Sequence, residues 1–174
     1  ILDRQEDVIT NTDGEIIYPR LVENELKSSP YIQEAVCFGK DKPYMTAILN
    51  IDMNSVGRWA DKNRILYTEY SDLSRNPKVV ELIEQQVEQL MSKLSLQNRV
   101  KKFSILHKQF TADQGELTRT LKIRRNFVEQ KYKILLDGMY SDTQEVSLTS
   151  SQTESVEEEV SLRVIQLKIE QGVA

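Results

Sequence analysis

One stretch organises this chain, Gly115-Glu116-Leu117-Thr118-Arg119-Thr120-Leu121-Lys122-Ile123-Arg124-Arg125. A polar loop, 111–114, precedes it, Gly115 supplies a turn, and a helical pattern begins at about Ile123. Lys122 is therefore expected where the loop ends and a helix begins. A lysine ammonium is a compact point charge on a long stem, so this junction can present it to an anionic group. We take a catalytic role for Lys122 as the working hypothesis.

The same stretch has two other interpretations. Basic side chains at the start of a helix form a solvated face in many proteins. The basic cluster 119–125 also suits a non-catalytic module that binds an anionic partner such as RNA or a lipid headgroup; its members are Arg119, Lys122, Arg124 and Arg125. If Lys122 is catalytic, its substitution alone should abolish activity. If the cluster binds an anion, substitution of each member should cause a partial loss of binding, and binding should depend steeply on salt.

The composition indicates a modest core and a highly charged surface. Of 174 residues, 39% are hydrophobic and 29% are charged. The apolar runs are all shorter than the roughly 20 residues of a membrane span, and no signal peptide is visible. The single cysteine, Cys37, excludes an intrachain disulfide and lies in an apolar run, where a buried inert thiol is expected. We expect a cytoplasmic location, with peripheral membrane association as the alternative.

The charge is unevenly distributed along the chain. Residues 141–174 carry seven acidic and two basic side chains, a net charge of −5, whereas the whole chain has −4. Residues 1–140 therefore carry about +1, which does not suit a dedicated nucleic-acid binder. We predict two parts, a body of residues 1–140 and an acidic tail of residues 141–174. The chain opens at Ile1 rather than at methionine, which indicates a piece of a longer protein.

Turn and periodicity signals predict an α+β fold for the body, a small antiparallel sheet packed with helices. An Asp-Gly turn at 11–14 predicts a first hairpin at the N-terminal edge. Further elements are predicted as a helix from Pro19, an antiparallel strand pair at 32–38 and 44–51, a helix capped by Asn54 or Ser55, a helix opened by Asn76-Pro77, a strand at 102–107 and a helix at 123–140.

The tail has its own pattern. Residues 144–149 and 160–169 alternate polar and apolar side chains around a Ser/Glu-rich link. Alternation with a period of two is typical of strands that are buried on one face. The tail is therefore predicted to add a β-hairpin to the body.

Familiar catalytic signatures are absent from the sequence. It has no glycine-rich nucleotide loop, no P-loop, no Gly-x-Ser-x-Gly and no Cys-x-x-Cys. The only histidine, His107, lacks a second histidine or a cysteine to complete a metal site, so a structural or surface role and no metal site are expected. Any catalysis must rest on Lys122 together with groups that this chain does not supply.

Two separate motifs carry a resemblance to a known family. The segment 3–26, which runs Asp-Arg-Gln-Glu-Asp-Val-Ile-Thr-Asn-Thr-Asp-Gly-Glu-Ile-Ile-Tyr-Pro and then Leu-Val-Glu-Asn-Glu-Leu, resembles the hinge and first hairpin of the C-terminal domain of acyl-CoA synthetases. These enzymes belong to the AMP-forming, adenylate-forming superfamily. Segments 28–36 and 43–47 also fit, and 116–125 resembles the long-chain fatty-acyl subgroup. The resemblance covers about residues 1–140 and implies a C-terminal lid domain.

The resemblance implies a role for four residues. Lys122 aligns with the lysine that contacts the acyl carboxylate and the α-phosphate. Arg4 matches the arginine near the nucleotide at the domain junction, and Glu6 falls at the hinge, where the family often has Asp or Lys. Gly14 matches the glycine of the hairpin that lines the tunnel for the CoA pantetheine. A further departure is Asp3, which stands where the family has glycine.

For the whole enzyme, the resemblance implies a long-chain fatty-acid–CoA ligase. It would convert ATP, a fatty acid and CoA into acyl-CoA, AMP and pyrophosphate through an acyl-adenylate. The ATP and acyl motifs of the family lie in a large N-terminal domain that this chain lacks. That domain would be its partner and would bind the Mg²⁺ expected with ATP. The isolated chain is expected to be inactive, and a ligase for another carboxylic acid is the alternative within the family.

Overall fold

The computed structural model describes residues 8–151 and 157–168. The strands are β1 (Ile9–Thr10), β2 (Ile16–Ile17), β3 (Ile32–Phe38), β4 (Met45–Ile51), β5 (Val100–Ile105), β6 (Glu145–Ser151), β7 (Glu157–Arg163) and β8 (Ile165–Gln166). The helices are α1 (Pro19–Leu26), α2 (Met53–Lys62), α3 (Tyr70–Arg75), α4 (Pro77–Met91), α5 (Arg125–Lys131) and α6 (Lys133–Met139), with a short 3-10 helix at Leu96–Asn98. The predicted α+β class is confirmed.

The first hairpin and the helix after it form where the sequence predicts them. β1 and β2 pair antiparallel, with Ile9 opposite Ile17. Pro19 takes the first position of α1, where its missing N–H leaves no intrahelical bond unmade. Val22 and Leu26 of α1 are fully buried, so the helix is held by its apolar face.

The central sheet has the strand order β3-β4-β5-β8. β3 and β4 are antiparallel, as predicted, with Ala35 opposite Leu49. β4 and β5 are parallel, with Ile48 opposite Ser104, so the sheet is mixed rather than antiparallel throughout. The reason is the connection between them, which contains α2, α3 and α4. A crossover of this length returns the chain to the same end of the sheet, as parallel pairing requires.

Helix caps refine the predicted boundaries in this crossover. Asn76 caps α4 as predicted, with its side chain accepting from the Lys78 amide at 2.9 Å. The prediction that Asn54 or Ser55 caps α2 is wrong. The cap is Asp52, whose carboxylate accepts from the Ser55 amide at 2.9 Å. Asp one residue after a strand caps as well as Asn or Ser does, so sequence alone does not separate the three positions.

The sheet separates two apolar clusters. Along β4, Ala47 and Leu49 belong to the cluster with α1, α2 and α4, and Ile48 belongs to the cluster with α5, α6 and the tail. β4 is consequently buried on both faces. Cys37, on β3, is fully buried, as expected for an inert thiol.

The last predicted helix, 123–140, is two helices instead of one. The break is at Tyr132, whose φ of −106° and ψ of 27° leave the helical range. Its ring is buried and its hydroxyl donates to the Glu116 carboxylate. The break thus coincides with a tertiary hydrogen bond that periodicity cannot reveal.

The tail forms the predicted hairpin, β6 with β7, in which Glu145 lies opposite Arg163. The hairpin packs on α6 so closely that a Cβ on Gly138 would collide with Val146 Cγ2. β8 then pairs with β5, and the Leu167 amide donates to the Lys101 carbonyl at 2.9 Å. The tail therefore shares the central sheet with the body, and a domain boundary at residue 140 stays a prediction. The link 152–156 and the end of the second run, at Ile169, lie outside the described residues.

Within 8–151 and 157–168, no helix combines the length and the apolarity that crossing a membrane requires.

Candidate functional site

Lys122 lies on the returning arm of a tight hairpin. The Thr118 amide donates to the Lys122 carbonyl at 2.8 Å, and the Leu121 amide donates to the Thr118 carbonyl at 2.9 Å. One rung below, Leu117 bridges Ile123. α5 begins only at Arg125, so the expectation that a helix starts at about Ile123 was wrong by two residues. This is a three-residue hairpin loop that ends on a left-handed residue, Leu121, with a φ of 63°.

The Lys122 side chain is exposed. Its backbone is held on both sides, because its amide donates to Thr118 Oγ1 at 3.1 Å and its carbonyl accepts from the Thr118 amide. Among the residues that the structure describes, the Lys122 ammonium has no ion pair and no hydrogen bond. The hairpin therefore presents an uncommitted cation from a fixed backbone.

A buried carboxylate lies at the base of this hairpin. Glu116 has no exposed surface, and its oxygens accept from Lys108 Nζ at 2.7 Å and from the Tyr132 hydroxyl. Burial alone would raise the pKa of Glu116, but these hydrogen bonds outweigh it and hold the pKa below its ordinary range. Burial lowers the pKa of Lys108, and the hydrogen bond to Glu116 opposes that shift.

Members of the basic cluster 119–125 turn to different partners. Arg124 Nη1 donates to the Gly115 carbonyl at 3.0 Å, and its guanidinium lies 5.0 Å from the centre of the Phe127 ring. Arg125 pairs with Glu23 at 2.6 Å. Two of the four cations thus have partners within the domain, and the cluster does not form one continuous basic face.

The Arg125–Glu23 pair joins α5 to α1. Glu23 Oε1 also accepts from the Cys37 amide at 3.0 Å. Burial raises the pKa of Glu23 from its ordinary value, although Arg125 opposes the shift. Sequence reasoning missed this pair. The available signal was a glutamate directly after Val22 on the apolar side of a short amphipathic helix.

An open cleft of about 970 Å³ brings Lys122 together with the first strand. Its lining includes Thr10, Arg20, Glu23, Lys40, Lys122 and Arg125. The lining contains both cations and carboxylates, which suits a docking surface better than a pocket selective for one sign of charge. Gly14 does not belong to the lining, so this cleft does not itself unite the two predicted site residues.

Gly14 lies in a turn that needs a left-handed residue. Its φ is 77°, and a Cβ built there would meet nothing within 4 Å. Glycine is therefore favoured by backbone conformation rather than by lack of space. The Thr12 amide donates to the Lys42 carbonyl at 3.1 Å, and the Asp41 amide donates to the Thr10 carbonyl at 3.0 Å. These bonds attach the turn to the loop between β3 and β4.

Arg4 and Glu6 lie outside the described residues, so the nucleotide and hinge roles that the resemblance implies for them stay predictions.

His107 is buried, and burial lowers its pKa, with Lys108 and Arg75 adding to the shift. Across 8–151 and 157–168, no group of three or more His, Cys, Asp or Glu side chains is arranged to hold a metal ion.

Comparison with known proteins places this geometry in a wider context. A family model described as the AMP-binding enzyme C-terminal domain matches residues 6–144. The long-chain-fatty-acid–CoA ligase FadD15 of Mycobacterium tuberculosis (strain ATCC 25618 / H37Rv) is 30% identical over 142 residues, which cover 81% of this chain and 24% of that protein. The long-chain-fatty-acid–CoA ligase ACSBG2 of Gallus gallus is 26% identical and covers 90% of this chain and 23% of its own length. The chain thus spans about a quarter of these relatives.

Solved structures share the fold. The adenylation domain of a carboxylate reductase from Mycobacterium chelonae has a TM-score of 0.63 at 22% identity, covering 81% of this chain and 20% of that one. A didomain of the carboxylic acid reductase from Segniliparus rugosus, in complex with AMP, has a TM-score of 0.61 at 18% identity. The match covers 80% of this chain and 18% of that one. At this level of identity the likeness establishes the architecture alone.

Proposed function

Because the chain belongs to the family of AMP-binding enzyme C-terminal domains, we propose that it is the mobile C-terminal domain of a long-chain fatty-acid–CoA ligase. The observation that carries the proposal is Lys122, whose exposed ammonium has no partner among the described residues and which lies on a hairpin whose backbone is hydrogen-bonded on both arms. The similarity to long-chain-fatty-acid–CoA ligases supports the substrate class. The larger part of the enzyme, with the ATP and acyl sites, is a partner domain outside this chain.

Adenylation requires two anions to meet. The fatty-acid carboxylate attacks the α-phosphate of ATP, pyrophosphate leaves, and an acyl-adenylate forms. A cation fixed between the carboxylate and the phosphate stabilises the charge that develops in the transition state. Lys122 is suited to this role because its side chain is exposed and its ammonium has no partner elsewhere in 8–151 and 157–168. The Mg²⁺ expected with ATP would be held by the partner domain, and no step here is assigned to it.

The second half-reaction transfers the acyl group to the CoA thiol and releases AMP. The proposal assigns the Gly14 turn to this step, lining the path of the pantetheine after the domain rotates. A hinged domain rotates between two orientations because a few hinge residues change their φ and ψ angles. Glu6 is the proposed hinge, and Arg4 is the proposed contact near the nucleotide.

The test is Lys122→Ala in the complete protein that contains this domain. Fatty-acid-dependent ATP–pyrophosphate exchange should fall by about 10²–10³-fold, the size of effect found when a transition-state charge contact is removed. Transfer to CoA from a supplied acyl-adenylate should change by less than about twofold, because that step does not use Lys122. Lys62→Ala is the matched control, since Lys62 is an exposed lysine on α2.

Unchanged exchange in Lys122→Ala would refute the proposal. The same assay addresses the anion-binding interpretation, which requires a loss graded over Arg119, Lys122, Arg124 and Arg125 with a steep salt dependence. A panel of carboxylic acids of different chain length, tested in the exchange assay, separates a long-chain ligase from a ligase for another acid.

A further inference from the structure

Glu116 is a buried acid with four neighbouring donors, which lie on two segments of the chain. Oε1 accepts from Lys108 Nζ at 2.7 Å and from the Thr111 amide at 3.2 Å. Oε2 accepts from the Tyr132 hydroxyl and lies 3.4 Å from Lys131 Nζ. Lys108 and Thr111 lie in the loop after β5, and Lys131 and Tyr132 lie where α5 ends. A fully buried carboxylate with so many partners has one available orientation.

The backbone of the same residue closes the hairpin that carries Lys122. The Arg124 amide donates to the Glu116 carbonyl at 2.9 Å, and the Glu116 amide donates to the Thr111 carbonyl at 3.1 Å. The Leu117–Ile123 bridge is the next rung, and the Thr118–Lys122 pair follows. Glu116 is therefore the point at which the hairpin joins the body of the domain. Any tilt of Glu116 is carried outward to Lys122.

Stability alone is a poor account of this arrangement. Buried ion pairs contribute little net stability, because desolvation offsets their attraction, and apolar residues of similar size often hold a core as well. A buried carboxylate with several hydrogen bonds fixes the orientation of the backbone segment that carries it. Lys122 has an exposed side chain, so its approach to a reacting group depends on where its backbone is held. Positional errors of about 1 Å cost about 10²-fold in rate at a reacting centre.

On these grounds we infer that Glu116 is a positioning residue for Lys122, required for adenylation and dispensable for acyl transfer. Lys108 and Tyr132 complete the anchor by holding the two carboxylate oxygens. The inference rests on the proposed function, because it assigns Lys122 to the first half-reaction.

The experiment uses Glu116→Gln in the complete protein, since glutamine keeps the shape and removes the charge. The maximal rate of ATP–pyrophosphate exchange should fall by about 10²-fold, as expected for a displaced catalytic group. KM for ATP and for fatty acid, and the rate of transfer from a supplied acyl-adenylate, should change by less than about threefold. Glu81→Gln, at an exposed position of α4, is the matched control and should leave all of these quantities unchanged.

Tyr132→Phe provides a second variant that keeps the buried ring and removes one donor to Glu116. Exchange should fall by about tenfold, the cost of one hydrogen bond to a charged group. This variant carries the same test if Glu116→Gln does not fold. An equal fall in both half-reactions, together with a lower melting temperature, would show a merely structural role and overturn the inference. Unchanged exchange would overturn it as well.

Lys122→Ala, measured in parallel, keeps the two hypotheses apart. If exchange survives Lys122→Ala, the proposed function itself fails. If Lys122→Ala abolishes exchange while Glu116→Gln and Tyr132→Phe do not affect it, only the positioning role fails.

Discussion

Two turns of this domain share one hydrogen-bond pattern and have different sequences. In the first turn, Asn11–Glu15, the Gly14 amide donates to the Asn11 carbonyl and the Asn11 amide donates to the Glu15 carbonyl, both at 3.1 Å. In the second turn, Thr118–Lys122, Leu121 and Thr118 make the equivalent bonds. The side chain of the first residue accepts from the last amide in both, at 2.9 Å and 3.1 Å. Lys122 thus corresponds to Glu15.

The left-handed position distinguishes the two turns. Glycine occupies it in the first, with a φ of 77°, and leucine occupies it in the second, with a φ of 63° and a side chain that is 68% exposed. A left-handed conformation costs a non-glycine residue about 1–2 kcal/mol. The first turn is therefore intrinsically stable. The second is held in its conformation by the Leu117–Ile123 bridge and the Arg124–Glu116 hydrogen bond. Strain of this kind is concentrated at functional sites.

The anchors differ in charge as well. The first turn rests on Asn11, a neutral side chain that accepts from the Asp13 and Glu15 amides. The second rests on Glu116, an ionised carboxylate that lies among cations. The comparison suggests that the first turn is encoded locally and the second through distant partners. Four predictions test it.

The largest stability effect is expected for Gly14→Val. A β-branched side chain at a left-handed φ should lower the free energy of unfolding by about 2 kcal/mol. The cost is conformational alone, because a Cβ there meets no other atom within 4 Å. Urea unfolding of this chain measures it. Gly14→Asn is the control and should lose less than half as much, since asparagine tolerates this conformation. Equal losses would argue against a backbone origin.

Asn11→Ala should come next, with a loss of about 1.5 kcal/mol, because two amides of the turn lose the buried Asn11 side chain as their acceptor. Thr118→Ala removes one exposed bond to the Lys122 amide and should cost about 0.5 kcal/mol. Denaturant midpoints of the two variants provide the measurement. A larger loss for Thr118→Ala would reverse the proposed order of local stability.

Leu121→Gly should raise the free energy of unfolding slightly, by about 0.5 kcal/mol. Relief of the left-handed strain slightly exceeds the entropy that glycine adds to the unfolded chain. Thr120→Gly is the matched control, because Thr120 does not have a positive φ, and it should be destabilising through the entropy of the unfolded chain and the lost bond to the Thr118 hydroxyl. Thermal unfolding of both variants gives the two signs. If Leu121→Gly is destabilising, the leucine side chain makes contacts that outweigh its strain.

The smallest effect is expected to be a difference in pH response. The pKa of Glu116 is lowered in the folded protein, so its contribution to stability is present above the ordinary glutamate pKa of about 4.3 and is lost as pH falls through the folded pKa. The titratable groups around it are Lys108, Lys131, Tyr132 and His107. Below about pH 4.3, hydrogen-exchange protection of the Arg124 amide should decrease, whereas that of Gly14 should not.

Glu116→Gln is the control for this titration, and it should remove the acid dependence at Arg124. A decrease at both turns would indicate global unfolding. An equal acid response in Glu116→Gln would assign the effect to another titratable group. Glu23 would not account for it, because its effect on stability has the opposite pH dependence. The pKa of Glu23 is raised by burial, so its contribution is present below the ordinary glutamate pKa and is lost as pH rises through the folded pKa.

Several elements could be predicted from the sequence because their signals are local. Asp-Gly predicts the first turn, Pro19 opens α1, and Asn76-Pro77 opens α4. The strand Ile32–Phe38 has the predicted bounds. Each depends on backbone preferences of one or two residues or on a hydrophobic run that tertiary contacts reinforce.

Other features could not be predicted because their causes lie far away in sequence. β4 pairs in parallel with β5 across a crossover of three helices. The helix break at Tyr132 coincides with its bond to Glu116, 16 residues away, and Arg125 is committed to Glu23, 102 residues away. Leu121 has no local signal for a left-handed residue.

The sequence by itself determined the family, the α+β class, the first hairpin and the candidacy of Lys122, because motif residues and hydrophobic periodicity are written along the chain. Only the tertiary structure decided that Lys122 stands on a strained turn above a buried carboxylate, while the neighbouring Arg124 and Arg125 are bonded to partners within the domain. The physical reason is that the sequence does not show which of several neighbouring cationic side chains are paired and which are free to bind a ligand. Their availability depends on desolvation and on partners that only folding brings within hydrogen-bonding distance.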